Sequence, residues 1–179
     1  TRHLDGAEVE RINADLSADA DVAAAPSLVE NAGLVFMGDT KGGPFEIDCA
    51  EARRFACLPN PNGRPSTDVI RPWMNGGDLT KRNRGMFIID FGDSAPRDVA
   101  AGYEAPFGAV EKRVKPDREQ NRRETYAQRW WIHVEPRPAL RAAIAGIDRF
   151  ILTPRVAKHR LFAWADSRCL PDSRIFVFA

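Results

Sequence analysis

Cysteine and histidine are scarce in this chain of 179 residues, and neither is grouped. Cys49, Cys57 and Cys169 make an odd count with no CxxC pair, and His3, His133 and His159 are scattered. That leaves no disulfide framework and no metal-ligand spacing, so no residue is assigned to a metal. Also missing are a GxGxxG after a strand, a P-loop lysine, an HExxH helix and a nucleophile elbow. No apolar run approaches the roughly 20 residues that a membrane helix needs. The opening TRHLDGAEVERINADL lacks the apolar core of a signal peptide. With reduced thiols and no leader, the expected setting is cytoplasmic, with no membrane partner. Carboxylates are plentiful, and Asp90 in IIDFG or Glu135 near His133 invite pairing as acid and base. Among 25 acids, such pairs are expected to be salt-bridged or solvated surface. No catalytic residue is assigned, and the chain reads as a binder.

What is present is an uneven distribution of charge. The net charge is only +1, yet residues 111–160 hold 13 of the 26 Lys and Arg against 6 acids. That segment carries +7 and the remainder −6. One strongly basic half suits a face that meets a polyanion, and nucleic acid is the leading candidate. The first residue is Thr, and RIFVFA (174–179) ends in an apolar run without a polar tail. Frayed apolar ends forfeit burial, so the chain is read as a fragment of a longer protein.

Local patterns predict an α+β domain: a small mixed or antiparallel sheet, several helices and long basic loops. GLVFMG (33–38) reads as a strand, TKGGP as a turn, and Phe45 with Ile47 as an extension of the pairing. DCAEARRFACL (48–58) reads as a helix, N-capped by Asp48 with Glu51 three residues on and Ala52, Phe55 and Ala56 on one face. PNPNGRPS (59–66) and NGGDLTKRNRG (75–85) are loops, with a helical turn expected between them at 68–73. MFIIDFG (86–92) is the clearest strand of the first half. Residues 98–114 favour a helix bent near Pro106, and 117–128 a helix with cations on its outer face. A short strand is expected at 130–134. A helix follows at 138–145, started by Pro138 and capped by Gly146. Residues 149–155 and 159–164 read as two antiparallel strands, with 174–178 as a third.

The succession LPNPNGRPSTDVIRPWMNGGDLT, MFIIDFG, YEAPF, VKPDREQNRRETYAQRWW, TPRVAKHRLFAW and LPDSRIFVFA resembles the target-recognition domain of MmeI-like DNA methyltransferases. This family comprises type IIL restriction–modification enzymes and related phage-defence methylases. The likeness runs from about Gly33 to the end and is weakest in the first 30 residues. It implies that residues 1–30 connect to a catalytic core and that 31–179 form the recognition domain. It further implies a parent enzyme that methylates adenine N6 using S-adenosylmethionine, with or without a nuclease. Neither an NPPY motif nor a cofactor loop occurs here, as befits a module that holds no cofactor itself. The implied partners are double-stranded DNA and the methyltransferase core of the same polypeptide.

Phosphate contacts supply affinity, and base-edge contacts supply sequence choice. Arg122, Arg123 and Arg129, with Lys112, Arg113 and Lys115, are the candidate phosphate cluster; the alternative is a solvated helix face. Arg155, Lys158, His159 and Arg160 fall within six residues at a strand-to-strand turn suited to the major groove. Against that, Arg160 beside Leu161 is also what an outward strand face looks like. Arg64, Lys81 and Arg82 lie in loops that contact DNA or simply turn the chain. Trp130 and Trp131 are candidates for stacking on an exposed base, although strand alternation would send one of them to the core. Trp73 and Trp164 are expected in the core. Two other function classes compete: an assembly or regulatory domain docking an acidic protein, and an RNA-binding protein.

Overall fold

An Asp-Gly pair at positions 5 and 6 starts the fold with a tight hairpin. Both residues take positive φ (50° and 82°), as a two-residue hairpin turn requires. Strands β1 (Arg2–Leu4) and β2 (Ala7–Val9) pair antiparallel around it, with His3 opposite Glu8. The computed structural model describes residues 1–20, 25–26 and 28–179. It divides them into two units, Thr1–Ala32 and Gly33–Ala179. Positions 21–24 and 27 of the expected connecting segment lie outside the described residues.

In the second unit, β3 (Val35–Met37) lies between glycines, and β4 (Glu46–Ile47) follows the TKGGP turn. Helix α1 (Cys49–Ala56) begins where the Asp48 carboxylate accepts the Glu51 N–H at 2.7 Å. It buries Ala52 and Phe55, whereas Ala56 stays exposed. Strand β5 (Ile70–Met74) leads into α2 (Gly76–Thr80), which is closed by a capping box between Asn75 and Asp78. Next come β6 (Phe87–Ile89), α3 (Arg97–Ala101), α4 (Glu104–Arg113), α5 (Lys115–Glu119) and α6 (Glu124–Gln128). Helix α7 (Pro138–Ile144) starts on Pro138, and Gly146 turns out of it at φ +83°. The chain ends in β7 (Arg149–Pro154), β8 (Ala163–Asp166), β9 (Leu170–Pro171) and β10 (Ile175–Phe178).

These strands form two four-stranded sheets, ordered β3-β10-β7-β8 and β4-β6-β5-β9. The first is antiparallel; the second is mixed, because β9 joins β5 in parallel. The fold is α+β, as expected. Leu140 and Ile144 of α7 pack on Phe150, Leu152, Ile175 and Val177 to make one core. The second core gathers Phe45, Ile47, Trp73, Ile88, Phe107, Val110 and Val114 with both residues of the Trp130–Trp131 pair. The C-terminal segment serves both sheets, since β9 belongs to one and β10 to the other. Between them the Asp172 N–H donates to the Met74 carbonyl and the Ser173 N–H to the Asp39 carbonyl.

Several expectations need correction. Residues 68–73 are not a helical turn: a 3-10 turn occupies Ser66–Asp68, and Ile70 onward is strand. Pro72 is tolerated there because the ladder with β9 begins only at Trp73. Phe45 and Ile47 extend no pairing with β3, since β4 pairs with β6 in the other sheet. The helical stretch near Pro106 breaks instead at Gly102–Tyr103, and Pro106 sits in the first turn of α4, where it breaks no helical bond. Residues 117–128 form no single helix, because Gln120–Arg123 separate α5 from α6. Residues 130–134 are a turn rather than a strand. Strand β8 begins at Ala163, leaving His159 and Arg160 in the loop.

Candidate nucleic-acid interface

Arginine and carboxylate pairing in the interior determines which cations remain for a ligand. Arg141 of α7 reaches Asp39 at 2.8 Å and Asp90 at 2.7 and 3.0 Å, tying the end of β3 to the end of β6. Asp39 is fully buried and also meets His133 Nδ1 at 2.8 Å, while His133 Nε2 faces the Ile89 carbonyl at 3.0 Å. Burial works against a charged Asp90, but His133, Arg141 and Arg71 outweigh it and hold the carboxyl at about 2. Asp90 is therefore salt-bridged, as expected, but in the interior and not on the surface. Glu135 is exposed and pairs with Arg137 and the Thr40 hydroxyl. Among the described residues, no group of three or more His, Cys, Asp or Glu is placed to hold a metal.

The 112–131 stretch spends much of its charge internally. Arg113 forks onto Glu51 at 2.6 and 3.1 Å, and Lys115 pairs with Glu111 at 3.0 Å. Arg118 is 3% exposed and donates to the carbonyls of Lys41, Gly42 and Ile132, burial lowering its pKa. Arg123 binds the Tyr126 hydroxyl at 2.8 Å and lies over that ring. Arg129 is exposed but donates to the Asp93 carbonyl at 2.7 Å. Arg122 and Lys112 are exposed with no side-chain partner among the described residues. Trp130 and Trp131 are 4% and 9% exposed, in edge contact at 5.7 Å, with Trp131 Nε1 donating to Ala95. Base stacking by this pair is therefore corrected: no strand splays the two rings, and both pack inward.

The β7–β8 turn behaves differently. Lys158 and His159 are exposed and without side-chain partners among the described residues. Arg160 folds back to the Pro154 carbonyl, and Arg155 donates to the Ser173 carbonyl at 3.0 Å while covering Phe176. Beside this turn runs a groove of about 350 Å³ lined by Gly76, Gly77, Thr80, Arg155, Val156 and Arg174. Helix α2 packs on β7, so Lys81 and Arg82, which follow Thr80, belong to the neighbourhood of the turn. Both are exposed and have no partner among the described residues, whereas nearby Arg84 is clamped by Asp78 at 2.8 and 2.9 Å. Arg174 is the residue that sequence reading missed. Its backbone is held in a turn by Asp172 and by Arg155, and its exposed side chain faces the groove. The DSR turn before an apolar strand was the available signal, but nothing in the sequence tied it to Arg155.

Arg64 and the Arg129 corner do not join this cluster. Arg64 pairs with Asp68 at 2.9 Å and lines a cleft of about 790 Å³ with Arg71, Tyr103 and Arg141. Arg129 lines a small pocket of about 180 Å³ with Arg118 and Tyr126. Neither shares a lining residue with the groove at the turn.

No protein-family model and no curated protein matches this chain. Among solved structures, it is similar to the type IIL restriction–modification enzyme MmeI in complex with DNA. The TM-score is 0.63 at 15% identity, over 95% of this chain and 22% of that enzyme. The chain thus spans about a fifth of the enzyme's length and shares the fold of that portion.

Proposed function

We propose that the chain is the double-stranded DNA recognition module of a longer restriction–modification enzyme. One observation carries the reading. Arg155 and Arg174 line one groove with Gly76, Gly77 and Thr80 of α2, which leads into Lys81 and Arg82, although these residues come from three separate stretches of sequence; Lys158 follows Arg155 in the same turn. No carboxylate lines the groove between them. The likeness to an enzyme solved with DNA supports the same assignment. In this reading Lys81, Arg82, Arg122, Arg123 and Arg129 grip phosphates. Arg155, Lys158, His159 and Arg160 present donors to base edges, where a bidentate pair on guanine discriminates by about 1–3 kcal/mol. The module itself is non-catalytic. The parent is an adenine-N6 methyltransferase whose S-adenosylmethionine site lies in a separate core, joined through residues 1–30.

The deciding experiment is titration of the chain with duplex DNA at increasing salt. Binding should weaken linearly on a log–log plot, with a slope of about −0.9 for each phosphate neutralised. No detectable duplex binding at about 50 mM salt and high micromolar protein sinks the assignment. A strong interaction with an acidic protein under those same conditions favours the docking alternative.

A further inference from the structure

Strand alternation gives the first sheet two unlike faces. Leu152, Ala165, Ile175 and Val177 face α7 in the core. The opposite face carries the cross-strand row Val35–Phe178–Ile151–Trp164, set by the strand registers, with Met37–Phe176–Thr153 on one side of it and Arg149–Asp166 on the other. Phe162 folds onto Phe178 with ring centroids 5.7 Å apart. Trp164 and Phe162 are 61% and 60% exposed, and Val35 is 42% exposed, so this row meets solvent. The other three tryptophans are 2%, 4% and 9% exposed. Trp164, expected in the core, is thus the one tryptophan on the surface.

Two guanidiniums lie over this face: Arg149 is 4.4 Å from the Trp164 centroid, and Arg155 is 5.6 Å from that of Phe176. Lys158, His159 and Arg160 border it in the turn between β7 and β8. The acid in the adjoining row, Asp166, is held by Arg168 at 2.8 and 3.0 Å. A ligand that fits must bring flat apolar rings together with negative charge. A duplex hides its ring faces inside the stack and offers only edges and phosphates. An unpaired strand offers both, and aromatic side chains with arginines are what such strands stack upon.

Resting on the DNA-recognition reading, we propose that this face is a second nucleic-acid surface that stacks unpaired bases on Trp164 and Phe162. Arg149, stacked on Trp164, neutralises an adjacent phosphate. It adjoins the turn proposed to read the duplex, so one DNA molecule can engage both where its strands part.

The test uses the chain itself, a 12-nucleotide oligo-dT and a self-complementary hairpin duplex. Stacking quenches the emission of exposed Trp164, while the three buried tryptophans report little. Trp164→Ala is expected to weaken oligo-dT binding about tenfold, the size of one lost base stack, with duplex affinity unchanged. Trp164→Phe should retain most of it, and Phe162→Ser should weaken it less than Trp164→Ala. Equal oligo-dT affinity for wild type and Trp164→Ala, without quenching, overturns the proposal. So does self-association in sedimentation that Trp164→Ala abolishes while strand binding is unchanged, which marks the face as a protein contact. Absent duplex binding with intact Trp164-dependent strand binding overturns the recognition reading and leaves this surface standing.

Discussion

Two cationic regions, 112–131 and 154–162, look alike on paper and differ in the folded molecule. The first is the denser in sequence, yet Arg113, Lys115, Arg118, Arg123 and Arg129 all have protein partners and its two tryptophans are core. In the second, Arg155 and Arg160 also reach carbonyls, of Ser173 and Pro154, but Lys158 and His159 have no side-chain partner among the described residues, and Val156 is 92% exposed. The difference arises from where the acids and carbonyls lie: the first region packs against Glu51, Glu111 and the 41–42 backbone, while the turn extends beyond its sheet. Positive charge in a sequence therefore measures two things at once, internal crosslinking and free surface. Only packing separates them.

The sharpest way to break the comparison is to remove a buried cation. Arg141→Ala leaves Asp39 and Asp90 uncompensated and is expected to lower unfolding free energy by about 3–5 kcal/mol in chemical denaturation. Lys158→Ala should change it by no more than about 0.5 kcal/mol. DNA binding should reverse the order: Lys158→Ala weakens duplex binding and relaxes sequence preference, as loss of a base contact does. In the proposed parent methyltransferase, Lys158 and Arg160 variants are expected to change which site is methylated, whereas Arg122→Ala weakens every site alike. An unchanged site profile demotes the turn to scaffold.

Acid sharpens the same contrast. Asp90 sits at about 2 in the folded chain against an ordinary 3.8, so its contribution is complete above about pH 4 and is lost as pH falls through about 2. Denaturation midpoints should hold near neutrality and fall below about pH 4, with Asp90→Asn flattening part of that fall. The smallest effect concerns thiols. Cys49 and Cys57 are exposed, while burial pushes Cys169 up to about 12. Mass spectrometry after alkylation at about pH 8 should find two labels on the native protein and a third only in denaturant.

The strand and helix patterns that were legible are those set by nearest neighbours. IFVF alternates, Asp48 caps three residues ahead, and Pro138 with Gly146 brackets α7. The DG hairpin at 5–6 is equally local. What failed depended on partners far along the chain. Residues 70–74 become a strand because β6 and β9 lie on either side, and 120–123 interrupt a helix because Arg118 is drawn inward to Gly42. The site divides in the same way. The basic turn is visible in TPRVAKHR, but its convergence with Arg174 and α2 depends on strand order. Trp73 is core as expected, but Trp164 lies outside and Trp130 and Trp131 both lie inside, because a ring's exposure follows from which face is covered, which one strand's pattern does not state.

The three residues between β9 and β10 give the molecule the character of a measuring gauge. Bonded to Asp39 on one side and Met74 on the other, they fix the turn-bearing sheet against the second sheet like a locked jaw. Gly38 lies so close that a Cβ there would sit 2.2 Å from the Asp172 carbonyl oxygen. A single methyl group at position 38 would act as a shim, changing the gap between jaw and turn without touching any residue proposed to meet DNA.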